Sequence, residues 1–136
     1  MKEKDFQSKS SQWLRVKRKE DEYFNQSMAF ELKMKQGKKR LNFKADFRPQ
    51  QLPSLHKAKY DCIYKKLSDL DISAKPFDCF QICKSPAYVA VMWYKSRKPK
   101  RFYLIDITQI LNEIDSKKKS INEERAMQLS SYSFLL

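Results

Sequence analysis

Glu31 and Lys33 stand two residues apart in the stretch Met28-Ala29-Phe30-Glu31-Leu32-Lys33-Met34. Strict alternation marks this stretch as a β-strand, with Phe30, Leu32 and Met34 on one face and Ala29, Glu31 and Lys33 on the other. A carboxylate and an ammonium then lie side by side above a greasy underside. A carboxylate is a hard oxygen ligand suited to a divalent cation, and an adjacent ammonium can orient a water or offset negative charge in a transition state. The same pair is also what an ordinary solvated strand face carries, so the neighbours decide. Gln51, Asp78 and Glu3 are the polar residues whose places in the chain allow them to join. Asp21 and Glu22, in a mixed charge run over 15–22, are the alternative to Asp78 as a further acid.

The elements that would position these groups follow from pattern. Phe6, Ser10, Trp13 and Leu14 recur at helical spacing, predicting a first helix over 4–17 with Glu3 at its start. Gly37 is the only glycine, and Gln36-Gly37 predicts a tight hairpin from the Glu31 strand into Leu41-Asn42-Phe43. Pro49, Leu52 and Leu55 predict a second helix. Pro53 fits only within its first turn, so the helix begins near Gln50 or Gln51. Weak strand character at 61–64 precedes a clearer strand at 77–82 containing Asp78. Tyr88 to Tyr94, apolar on both faces, predicts a central strand. Residues 101–105 pair with it across the turn 95–100. Asp106 or Thr108 caps a further helix, and Ser120-Ile121-Asn122-Glu123 matches a capping box before a last one. The tail from Ser130 has no readable pattern, and 113–136 is expected to be a C-terminal helical extension of one domain spanning 1–136.

Twenty-nine Lys and Arg against sixteen Asp and Glu give a net charge of +13, which calls for a polyanionic partner, nucleic acid first. Lys35, Lys38, Lys39 and Arg40 cluster at the first turn. Lys95, Arg97, Lys98, Lys100 and Arg101 cluster at the last. Both suit contacts to a phosphate backbone, although lysines at strand edges also prevent unwanted pairing. The single histidine, His56, cannot build a metal cluster and is expected at the surface. Cys62, Cys79 and Cys83 are odd in number and lack C-x-x-C spacing, so reduced, partly buried thiols are expected. No apolar run approaches spanning length, and the expectation is an intracellular, cytoplasmic protein without membrane contact.

The order of these signals resembles the PD-(D/E)XK nuclease superfamily. Glu31-Leu32-Lys33 looks like its E-x-K, Gln51-Leu52 like the helix glutamine of its Holliday-junction resolvase branches, and Glu3 like their helix-one glutamate. The nearest likeness is to RecU-type and phage resolvases, over residues 2–110. The resemblance implies an α/β, restriction-endonuclease-like mixed sheet flanked by helices. It implies a magnesium-dependent endonuclease on branched DNA, with manganese able to substitute. Glu31, Asp78 and the Leu32 carbonyl would hold the metal, and Lys33, Gln51 and Glu3 would assist. A four-way junction has two symmetric strands, which implies a homodimer, with the first helix and Phe134-Leu135-Leu136 as candidate interfaces. One departure stands: Asp78 follows the E-x-K, whereas the superfamily's lone aspartate usually precedes it.

Overall fold

The computed structural model describes residues 28–66 and 79–135. The first helix with Glu3, the acids Asp21 and Glu22, and Asp78 lie outside the described residues. The element order is β1 (Ala29–Gln36), β2 (Leu41–Asn42), α1 (Gln51–Tyr60), β3 (Cys62–Lys66), β4 (Cys79–Cys83), β5 (Ala87–Tyr94), β6 (Arg101–Asp106), α2 (Ile107–Asp115), β7 (Ser120–Ile121), α3 (Glu123–Leu129) and β8 (Tyr132–Leu135). Four strands form a mixed sheet in the order β1-β5-β6-β8. β1 runs parallel to β5, joined through α1, while β6 is antiparallel to both β5 and β8.

Strand β5 is central because its seven residues from Ala87 to Trp93 are all buried, as a run apolar on both faces requires. On one face of the sheet, Val89, Val91, Trp93, Tyr103 and Ile105 pack against Leu52, Leu55 and Ala58 of α1, Ile107 and Ile110 of α2, and Ala126 of α3. On the other face, Tyr88, Ala90, Met92, Phe102 and Leu104 pack with Phe30, Leu32, Met34 and Phe134. The alternation read in β1 is therefore correct. Among the described residues all three helices contribute to the first of these faces. None of these helices is long and apolar enough to cross a membrane.

The predicted β1–β2 hairpin does not form. Gly37 does adopt φ +65°, and its N–H donates to the Tyr94 carbonyl at 2.9 Å. The turn ties β1 to β5, however, and sends the chain away. β2 pairs instead with β7, Leu41 opposite Ile121. A Cβ at Gly37 would meet nothing within 4 Å. The expected cost of Gly37→Ala is therefore backbone strain alone, about 1 kcal/mol by denaturant melt, with Gly37→Asn costing less.

Helix α1 begins at Gln51, with Pro53 in its first turn and the first helical bond running from Ser54 N–H to the Gln50 carbonyl at 3.0 Å. Asp106 caps α2 by accepting from Thr108 N–H at 2.8 Å, and Lys59 holds the same carboxylate at 2.7 Å. The capping box at Ser120 is a misreading. Ser120 belongs to β7, and Asn122 caps α3 by accepting from Arg125 N–H at 2.9 Å. The tail forms β8, a strand completing the sheet, so the C-terminal part is not purely helical.

Strands β3 and β4 form a separate antiparallel ribbon with Cys62 directly opposite Cys83. Those two cysteines are joined as a disulfide, which corrects the expectation of reduced thiols: the register places their Cα atoms 4.0 Å apart. The base of the ribbon is pinned where Lys84 N–H meets the Asp61 carbonyl at 2.9 Å and Ser85 N–H meets the Ala58 carbonyl at 2.8 Å.

Candidate functional site

Because β1 is regular, Glu31, Lys33 and Lys35 all project from the face that α1 covers. The helix start brings Gln51 over that row. Lys33 Nζ lies 3.1 Å from Glu31 Oε1 and donates to Gln51 Oε1 at 3.0 Å. Gln51 Nε2 donates to Glu31 Oε1 at 2.8 Å, and the Arg48 backbone N–H donates to Gln51 Oε1 at 2.8 Å. Two donors on its oxygen and a carboxylate beside its nitrogen fix the orientation of the amide. Lys33 also sits 4.9 Å from the Phe47 ring centroid, a cation–π contact that restrains its long side chain. Two near neighbours on β1 and one residue at the start of α1 thus close a triangle of two hydrogen bonds and one ion pair, with Lys33 and Glu31 only 17% and 23% exposed.

Farther along the strand, Lys35 is paired with Asp46 at 2.6 Å, and Asp46 also accepts from Asn42 N–H at 2.6 Å. Lys35 is therefore engaged inside the structure, unlike the exposed Lys38, Lys39 and Arg40 that follow it. Asp46 had no signal in the sequence, since it stands in an irregular turn outside any periodic pattern. Glu31, Lys33, Gln51 and Asp46 line one cleft of about 470 Å³ together with Phe47 and Arg48.

Among the described residues, no three His, Cys, Asp or Glu gather as a metal-holding group. Within them, Glu31 Oε2 has no hydrogen-bond partner, because both Lys33 and Gln51 use Oε1. Ala29 N–H donates to Pro86 and Gly37 N–H to Tyr94, so the odd-numbered backbone groups of β1 face β5. The Leu32 carbonyl faces the opposite edge. One free carboxylate oxygen and one outward carbonyl fit what magnesium asks of a protein, which is one or two carboxylates with water and substrate oxygens completing the shell.

The parallel pairing of β1 with β5 brings the two basic turns to the same end of the sheet. Trp93 Nε1–H donates to the Lys39 carbonyl at 2.9 Å, fastening the first turn beside the second. Lys95, Arg97 and Lys98 are exposed, Lys100 is half-buried, and Arg101 is exposed with Glu123 at 3.5 Å. Arg40 donates to the Ser120 hydroxyl at 2.9 Å, which carries it toward the run Lys117-Lys118-Lys119 after α2. That run was missed by the sequence reading, although three consecutive lysines were a visible signal. His56 is exposed against Tyr60, as expected.

Comparison with known protein families, with curated proteins and with solved structures gives no match.

Proposed function

We propose that this protein is a metal-dependent, structure-specific DNA endonuclease that hydrolyses phosphodiesters in branched DNA, as a Holliday-junction resolvase does. The reading rests on one observation: Glu31, Lys33 and Gln51, singled out by type and order in the sequence, meet in a single hydrogen-bonded triangle at the mouth of a cleft. The mixed sheet of four strands, with the Glu31 strand joined to a parallel neighbour through the Gln51 helix, is compatible with a restriction-endonuclease-like fold. The charge of +13 suits the substrate.

In this proposal Glu31, the Leu32 carbonyl and Asp78 would hold magnesium, with manganese as a substitute. A bound magnesium supplies an activated water and charge stabilisation on the phosphoryl oxygens. Lys33 is held by Gln51 and the Phe47 ring with its ammonium facing the cleft, where it offsets negative charge building on the phosphate. Gln51 is a positioning residue, since its amide fixes both charged groups at once. The basic turns hold the backbone of the DNA without reading its sequence. Two such subunits would serve the two symmetric strands of a junction. Phe134, one candidate for that interface, packs on Phe102 at 4.2 Å between ring centroids, while Leu135 is 65% exposed.

A second reading, a non-catalytic nucleic-acid-binding module on the same scaffold, is favoured by the direct contact between Lys33 and Glu31, which satisfies both charges without a metal. The two separate on a synthetic four-way junction incubated with magnesium or manganese. The nuclease reading expects cutting by the wild type and none by Glu31→Gln, with binding retained in both. Binding without cutting in either metal is the result that leaves only the module.

A further inference from the structure

A second concavity of about 750 Å³ opens on the other side of the Phe47-Arg48 wall. Its floor is apolar, formed by Phe43, Phe47, Leu52 and Ile114. Its rim carries Lys44, Arg48, Lys118 and Lys119, and no acidic residue lines it. Lys118 is partly committed, 2.9 Å from the buried Glu113 carboxylate. Lys44, Arg48 and Lys119 are exposed, and among the described residues none of their side chains has an ion-pair partner. Phe47 and Arg48 border both this trough and the Glu31 cleft, so the two adjoin. At its far end Lys118 and Lys119 also border the hollow that contains Arg40.

An apolar floor with a purely cationic rim fits a ligand that presents flat apolar faces and phosphates together. Duplex DNA offers only its phosphates to such a surface, because its base faces are stacked inside. An unpaired strand offers both, and contacts to its bases add to the electrostatic term. The volume lies in the range that encloses ligands of nucleotide size. We infer that this trough binds a single-stranded nucleic-acid segment, with phosphates on Lys44, Arg48 and Lys119 and at least one base against the apolar floor, leading into the Glu31 cleft. The inference deepens the endonuclease reading by naming unpaired nucleotides beside the branch as the recognised feature, and to that extent rests on it. The binding itself does not require cutting.

The test is fluorescence anisotropy in EDTA, so that no metal chemistry contributes. The probes are a labelled single-stranded thymidine oligonucleotide and a duplex with the same number of phosphates, each titrated with salt. The wild type is expected to prefer the single strand. The triple variant Lys44→Ala/Arg48→Ala/Lys119→Ala, all at exposed positions, is expected to lose about tenfold or more in affinity for it. The slope of log affinity against log salt should become shallower by about 2, at roughly 0.7 per lost phosphate contact. A matching triple replacement of Lys95, Arg97 and Lys98 should weaken both probes alike. Equal wild-type affinity for the two probes, or an unchanged salt slope in the trough variant, overturns the inference. Polyphosphate competing as well per phosphate as the oligonucleotide also overturns it, because charge alone would then account for binding. A protein that passes these tests yet never cuts a junction refutes the nuclease reading alone. One that cuts but fails them refutes the trough alone.

Discussion

On the endonuclease reading, junction cleavage is expected to fall by a factor of about 100 or more when Lys33 is replaced by alanine, while junction binding in EDTA stays within a few-fold of wild type. The size follows from the loss of one preorganised charge aimed at a developing oxyanion in a partly enclosed site, typically worth 100- to 1000-fold. The binding expectation follows from number: one of many cations is removed, and Lys33 is already engaged with Glu31 and Gln51. The stability cost should stay within about 1 kcal/mol, because Glu31, freed of its partner, is 23% exposed and can be hydrated. Single-turnover cleavage, anisotropy and a thermal melt on the same sample distinguish the possibilities. A purely structural Lys33 would shift the melt and leave the cleavage rate untouched. Gln51→Ala should have a smaller effect on rate, since it removes the group that positions Lys33 and leaves the charge itself. Restoration by Gln51→Glu is not expected, because a second carboxylate would face Glu31 across the 2.8 Å now spanned by an N–H donor.

The second large effect concerns stability. Glu113 is 5% exposed, in the last turn of α2, and it holds that helix to α3. Arg125 donates to its Oε1 through both Nε and Nη2. Lys118 lies 2.9 Å from Oε2, close enough for ion pairing but without a directed hydrogen bond. The Arg125 hydrogen bonds are the main cause holding this carboxyl below its ordinary value; burial opposes them and Lys118 adds to them. Glu113→Ala removes a charge-assisted contact at the helix junction while leaving Arg125 and Lys118 able to reach water. The expected loss near neutral pH is about 2 kcal/mol by denaturant melt. The acid dependence has a definite sign. A carboxyl with a depressed folded value contributes its full stabilisation above the unfolded value, near 4.5, and loses it as pH falls through the folded one. The gap between wild type and variant should therefore be constant above about pH 5 and narrow below 4.5. A gap that widens on acidification would contradict the assignment.

The sequence carried the local features well. Alternation in β1 and the two-sided apolar run of β5 gave their faces and burial, because strand period is a property of a few consecutive residues. Pro53 located the start of α1 near Gln51, while the grouping of Gln51 with Glu31 came from the order of the signals and the resemblance it carries. What was not legible is pairing across long separations. Gly37 announced a left-handed turn, but nothing in the chain near it says that Leu41 will seek Ile121 eighty residues later. Ser120 matched a capping pattern that Asn122, nearer the helix, satisfies instead. Cys62 and Cys83 became partners through a cross-strand register that spacing alone does not reveal. In the site, Asp46 was invisible for the same reason: its pairing with Lys35 depends on how an irregular turn folds back over β1.

The two hydrogen bonds at the foot of the β3–β4 ribbon carry a practical consequence. Asp61 to Lys84 and Ala58 to Ser85 tie the end of α1 to the approach to β5 across the base of the ribbon, and Ile63 and Ile82 of the ribbon pack against the core. Replacing the ribbon by a short turn would uncover the core where Ile63 and Ile82 sit, but none of its described residues lines the cleft of Glu31, Lys33 and Gln51. Such a trimmed protein would lack Asp78 while keeping every described residue that lines the cleft. It would thereby ask of the whole ribbon, in one step, whether chemistry at the cleft depends on anything it brings.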